Sequence, residues 1–156
     1  MVPVEVFEVR YPWLIEEFAL QADSAGPGRY RGAHAVSKTF RAVDTEITVS
    51  SVSDRHQTRP WGILGGAAGE TGSLYYKAAG GSSWQTFAEA FGKVSTSKFS
   101  NAKIEPGACV RLTTPGAGGY GDVKDRELDM IVEDLLEEWI TIYGAERDYG
   151  YKPRGN

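Results

Sequence analysis

The chain has 156 residues, 41% hydrophobic and 24% charged, with a net charge of −4, which gives the size and composition of one ordinary globular core. The acidic balance and the scattered Lys and Arg exclude nucleic acid as the main partner, and no stretch approaches the roughly 20 apolar residues of a membrane span. Met1-Val2-Pro3-Val4-Glu5 lacks the basic and apolar regions of a secretion signal, and a single cysteine, Cys109, excludes an internal disulfide and points to the reducing cytoplasm.

The 19 Gly, 4 Trp, 8 Tyr and 6 Phe suggest a turn-rich β protein with much to bury. Residues 4–11 and 13–21 are predicted as strands parted by Pro12, the first on the alternation of Val4, Val6 and Val9 around Phe7. Three Gly and a Pro make residues 23–32 a loop. Residues 33–43 and 45–53 are expected to form a hairpin, with Asp44 at the turn and Ile47 and Val49 alternating in the second arm. Residues 54–72 are irregular and 73–79 a short strand, while 83–92 fit either a short helix or a strand. Residues 93–103 are polar and expected as loop. A Pro106-Gly107 turn leads into a strand from Ala108 to Thr114, followed by a glycine-rich loop over 115–124.

The tail changes period. Leu128, Ile131, Val132, Leu135, Trp139 and Ile142 fall near i, i+3, i+4, i+7, so a helix is predicted from Asp125, with Asp125 as N-cap. Thr141 is expected to cap a second short helix that Gly150 ends. The expected architecture is α+β, mainly β: a β-rich domain over 1–124 and a helical tail over 125–156. The tail's apolar stripe suits docking on the chain's own sheet or on a partner, and Trp139 and Tyr143 are the candidate interface residues.

Chemistry-bearing residues are sparse. Gly116-Ala117-Gly118-Gly119-Tyr120-Gly121 matches G-x-G-x-x-G, but Asp122 to Asp125 separate it from the helix. In a dinucleotide site the helix opens within the motif so that its N-terminus meets the phosphates. The reading is instead a loop whose glycines allow positive φ and close backbone approach, with Gly118 and Gly119 as candidate framing residues. His34, His56 and Cys109 lack ligand spacing, so no metal site is predicted. Ser53, Asp54 and His56 are too close along the chain to make a catalytic triad. Asp54, Arg55, Arg59 and Trp61 cluster after a strand, where binding residues commonly sit. They read either as an anion clamp or as an ion pair bracing a long loop with Trp61 packed on it.

Several ordered segments resemble one family. Pro3-Val4-Glu5-Val6, the run from Asp23 to Gly32, Ser53-Asp54-Arg55, Pro60 to Gly66, Pro106-Gly107 and Thr114 to Asp122 together resemble the C-terminal part of the hydantoinase B / oxoprolinase family. Ala117 interrupts what is usually an unbroken glycine run, and Ala33 stands where the family often has Gly. Met1-Val2 stands where the family usually reads Asn-Thr, which gives the expectation of a gene split within a motif and a chain that needs its other half.

The resemblance implies a multi-subunit, ATP-dependent enzyme acting on cyclic amides. A hydantoinase A-like partner would bind ATP, and another polypeptide would supply the N-terminal half of the B-type protein with its metal-binding His and Asp. On this reading the chain carries no catalytic residue, cofactor or metal of its own. ATP and a divalent metal are expected on partner subunits, and Asp54, Arg55, Trp61, Gly118 and Gly119 frame a site or an interface. The alternatives are a subunit of an ATP-dependent acetone- or acetophenone-type ketone carboxylase, or a non-enzymatic scaffold.

Overall fold

Residues 3–152 are described by the computed structural model. Its order is α1 (Val4–Arg10), β1 (Trp13–Leu20), β2 (Val36–Ala42), β3 (Ile47–Val52), β4 (Ser73–Lys77), β5 (Gln85–Thr86), α2 (Phe87–Phe91), β6 (Lys98–Ile104), β7 (Cys109–Thr113), a 3₁₀ turn (Val123–Asp125), α3 (Leu128–Leu136) and α4 (Ile142–Tyr149). The strands form a five-stranded sheet, β1-β2-β7-β4-β5, and a two-stranded sheet, β3-β6. The expected α+β, mainly β class is the one found.

The chain forms two compact units. The first holds the residues up to Ala19, Ser37–His56 and Ser73–Thr113; the second holds Leu20–Val36, Gln57–Gly72 and the chain from Thr114 on. In the first, Phe87 is fully buried and stacks on Phe99 at 4.4 Å and on Phe91 at 5.4 Å. Ala42, Leu74, Tyr76, Ala102, Ile104, Ala108 and Val110 complete that core. Thr86 starts α2 with a capping box to Glu89, which resolves the open reading of 83–92 as a two-residue strand followed by a helix. In the second unit, Ile131, Ile140 and Ala145 are buried against Leu135, Tyr149 and Tyr151.

Several expectations are corrected. Residues 4–10 are helical, not a strand. The spacing from Val6 to Val9 breaks period two, and the helix sets Phe7 against Tyr11 at 5.0 Å and Phe40 at 5.8 Å. Pro12 forces Tyr11 into extended backbone, so the helix ends there. β2 and β3 exist but do not pair as a hairpin. β2 pairs antiparallel with β7, with Phe40 opposite Val110, and β3 pairs with β6. The turn at Pro106-Gly107 holds Ala42 through Gly107 N–H to the Ala42 carbonyl at 2.8 Å, so a partner distant in sequence wins over the adjacent one.

The polar stretch 93–103 contains most of β6. Its inward residues are Phe99, Ala102 and Ile104, and alternation slips by one because Asn101 sits at φ 54 beside a register shift between Val49 and Ser51. That bulge hides the strand from a period-two search.

In the tail, Thr141 and Gly150 bound α4 as expected, and Thr141 Oγ1 accepts from Gly144 N–H at 3.0 Å. Asp125, however, lies in the 3₁₀ turn, which Asp122 caps, and Glu127 takes the N-cap position of α3. Trp139 and Ile142 do not continue α3: the helix stops at Leu136, and Glu138 adopts φ 57.

Candidate functional site

The second unit brings three loops together main chain to main chain: 24–33, 60–70 and 115–121. Gly26 N–H bonds the Ala117 carbonyl at 2.8 Å, Ala67 N–H the Pro27 carbonyl at 2.7 Å, and Ile63 N–H the Gly119 carbonyl at 2.9 Å. Only a residue without a side chain fits such spacing. A Cβ on Gly118 would stand 2.0 Å from the Trp61 carbonyl oxygen, and one on Gly119 2.1 Å from that of Pro27. Close approach is therefore what the glycine-rich loop is for; within it, positive φ is confined to Gly121, at 76°. Five of the six G-x-G-x-x-G donors are spent internally. The N–H groups of Gly116, Ala117, Gly119, Tyr120 and Gly121 bond the carbonyls of Glu70, Ala33, Ala67, Tyr30 and Ile63 at 2.8–3.0 Å. Phosphate recognition at such a loop needs those donors outward, and these five are not presented to a phosphate.

The loop cluster of Asp54, Arg55, Arg59 and Trp61 divides between the units. Asp54 and Arg55 belong to the first; Arg59 and Trp61 belong to the second. Asp54 pairs with Lys98 at 2.7 Å, and this contact holds its carboxyl below the ordinary range. Arg59 pairs with Glu70. Arg55 adopts φ 61 and folds the chain back after β3, so Ser53 Oγ and His56 Nε2 come within 3.0 Å. Ser53 and His56 thus meet, contrary to the extended-chain argument, while the Asp54 carboxylate is engaged by Lys98.

Sequence reasoning missed the densest charge cluster. Asp134, on α3, is 3% exposed and binds two arginines: Arg31 through Nε at 2.9 Å, and Arg126 through Nη2. Arg31 lies over the Trp139 ring at 4.5 Å, and Arg126 over Tyr149 at 5.3 Å. Arg126 Nη1 also donates to the Arg29 carbonyl at 3.2 Å. The signal was available in the sequence: Asp134 lies three residues after Ile131, on the apolar face, where an acid needs a partner. Trp139 is thereby placed inside its own unit, between Arg31 and His34, whose ring centroid is 6.2 Å away. Tyr143 is 70% exposed, with Arg147 over its ring.

Both ring nitrogens of His34 are buried without a hydrogen bond, and burial, then the Arg31 charge, push its pKa down. Burial also lowers that of His56. A neutral buried histidine binds fewer protons than its unfolded counterpart, so its contribution is present above about pH 6.5 and is lost as pH falls through the folded value. Urea midpoints are expected to drop between pH 7.5 and 5.5, and less steeply in His34→Gln. An unchanged slope in that variant would remove His34 as the cause. Cys109 is buried with Sγ 3.6 Å from Glu16 Oε2, and burial raises its pKa, which suits an inert thiol.

Among the described residues are several cavities, including one of about 700 Å³ beside Arg126, Ile131 and Tyr149 in the second unit and two of about 250 Å³. One of these two is apolar, in the first unit, lined by Phe7, Trp13, Phe40, Leu74, Val110 and Leu112. The other, in the second unit, is polar, with Asp23, Arg59, Glu70, Arg147 and Asp148 on its walls. Its charges engage one another: Arg147 is bidentate on Asp148 at 2.6 and 2.7 Å, and Asp23 accepts from Thr141 N–H and Oγ1. Among the described residues, no group of three or more His, Cys, Asp or Glu is arranged to hold a metal ion, and no helix is long and apolar enough to cross a membrane.

The family model described as hydantoinase B/oxoprolinase matches residues 1–123. The chain belongs to the hydantoinase B/oxoprolinase family. It is 33% identical over 150 residues to an uncharacterized protein of Methanocaldococcus jannaschii, covering 96% of this chain and 24% of that protein. It is 26% identical over 157 residues to the caprolactamase subunit beta of Pseudomonas jessenii, covering 98% of this chain and 25% of that one. The crystal structure of the ATP-dependent caprolactamase from the same organism matches with a TM-score of 0.74 at 23% identity, over 99% of this chain and 26% of that chain. A nucleotide-free acetone carboxylase matches with a TM-score of 0.77 at 16% identity, over 99% and 24%. This hydantoinase B/oxoprolinase chain thus spans about a quarter of the length of such relatives, and it corresponds to a C-terminal part of them.

Proposed function

We propose that this chain is a site-framing, non-catalytic subunit of an ATP-dependent cyclic-amide hydrolase of the hydantoinase B/oxoprolinase type. The acid–base and metal-binding groups would sit on the remaining B-type polypeptide, and ATP on a hydantoinase A-like subunit. The observation that carries this reading is the glycine cradle. Its backbone donors bond one another, which makes a stiff platform, and its exposed side chains include Trp61 rather than a nucleophile and its base. Of the titratable groups that could do chemistry, the His34 ring nitrogens and the Cys109 thiol are buried, and the Ser53–His56 pair lacks the support of Asp54, whose carboxylate is engaged by Lys98. Ring opening of a lactam rather than ketone carboxylation is favoured by the relation to a caprolactamase subunit at 26% identity.

The test is turnover of the assembled enzyme carrying His34→Ala, His56→Gln or Cys109→Ser, with assembly checked by size exclusion. Each is expected to keep turnover within about tenfold of wild type. A general acid or base is worth roughly a hundredfold or more, so a loss of that size for His56→Gln in an intact complex would contradict the proposal. Arg55→Ala is expected to lower turnover in an assembled complex if the residue frames the site.

A further inference from the structure

We propose that the exposed apolar tip of the glycine cradle, formed by Tyr30, Trp61, Ile63, Leu64 and Tyr120, is the surface on which the remaining B-type polypeptide docks. The inference rests on the subunit reading above and names its contact surface. All five side chains belong to the second unit and are between 49% and 71% exposed. Their backbones are knitted together. Tyr30 and Tyr120 exchange both N–H to carbonyl bonds, at 3.0 and 2.8 Å, with rings 6.4 Å apart. Ile63 donates to Gly119 and accepts from Gly121, each at 2.9 Å. Arg29 lies over the Tyr30 ring at 5.5 Å. Tyr, Trp and Arg on a pre-formed frame are the residue types that dominate binding at protein interfaces, and they lose little freedom on docking.

Leu64 is the decisive residue. Ile63 to Gly66 is closed by Gly66 N–H to the Ile63 carbonyl at 3.1 Å, with Leu64 at φ 50 and Gly65 at φ 94. Positive φ at both central positions is the I′ pattern, which favours Asn, Asp or Gly at the first. A leucine there is 71% exposed and is held in a conformation that side chains rarely adopt. Folding alone would select asparagine; an apolar partner explains leucine. The partner is committed by length. The matched region is 24% of the Methanocaldococcus jannaschii relative, so 76% of that polypeptide accompanies the same fold.

The remainder of the B-type sequence from the same source, expressed as a separate tagged polypeptide, is the probe. It is expected to retain the wild-type chain. Trp61→Ala and Leu64→Asn should each weaken retention at least tenfold, while Leu64→Asn melts at or above wild type because Asn suits the turn. Leu136→Asn, at a residue 78% exposed on α3, should bind as wild type. Equal retention of Trp61→Ala and Leu64→Asn with wild type would overturn the assignment of the surface while leaving the subunit reading intact. A dimer of the isolated chain that Leu64→Asn dissociates would overturn it in favour of self-association. Failure of the probe to retain even the wild-type chain would overturn the subunit reading itself.

Discussion

Gly118→Ala is expected to destabilise the chain by about 3 kcal/mol or more, as overpacking against atoms that cannot move aside does. The added Cβ would stand 2.0 Å from the Trp61 carbonyl oxygen, 2.4 Å from that carbonyl carbon and 2.7 Å from Gly62 N. All three are backbone, and the neighbouring Ile63 N–H is tied to Gly119, so relief requires the loops to part. Gly80→Ala is the control. Gly80 sits at φ 69 with nothing within 4 Å of the added atom, so only the left-handed backbone is penalised, by about 1–2 kcal/mol. Urea unfolding of the two variants separates packing from conformation. A Gly118→Ala variant within about 1 kcal/mol of wild type would mean the three loops are not packed as described.

Asp134→Ala is expected to cost about 3–5 kcal/mol, the usual penalty for removing one partner of a buried ion pair. Two guanidinium groups would lose their carboxylate, and the Arg126 side chain is only 5% exposed. Replacing Arg41, whose pair with Glu16 is about 40% exposed, should cost about 0–1 kcal/mol. The Asp134 effect should resist added salt, because buried pairs are poorly screened. Limited proteolysis should then cut first between Arg126 and Tyr149, where Asp134 joins the tail to Arg31. A loss below about 1 kcal/mol, or cleavage starting in β2–β7, would contradict this placement.

What was legible in the sequence was local. Thr141 and Gly150 carry cap chemistry that works wherever a helix starts or stops, and they were read correctly. β7 was located because the Pro106-Gly107 turn precedes it, and β4 because the glycine-rich stretch ends at Gly72. What was not legible depended on partners far along the chain. α1 is a helix because Phe7 finds Phe40, against the β-branched preference of Val4, Val6 and Val9. β6 was hidden by one bulged residue, Asn101. The glycine motif announced a loop, but the carbonyls it packs on belong to Ser24, Pro27 and Trp61, far upstream. Asp134 shows the same limit: its place on an apolar helix face was visible, whereas Arg31, 103 residues upstream, was not.

The glycine-bearing family motifs, 23–32, 60–66 and 114–122, are the three loops that meet, because glycines at fixed separations allow close backbone approach. Such sets specify where backbones must touch, and the cradle is where they touch. Trp61 and Leu64 are displayed from it, and the proposed framing role rests on that surface.

Omission and reconstitution test the central claim most directly. The chain, the remaining B-type polypeptide and the hydantoinase A-like subunit would be purified separately and assayed for ATP-dependent ring opening of a lactam, 5-oxoproline and a hydantoin, alone and combined. The expectation is that this chain alone has no activity, that the other two without it turn over poorly or not at all, and that adding it restores turnover, with His56→Gln restoring it to within about tenfold of wild type. Hydrolysis by the isolated chain, or full activity of the other two in its absence, would contradict the account.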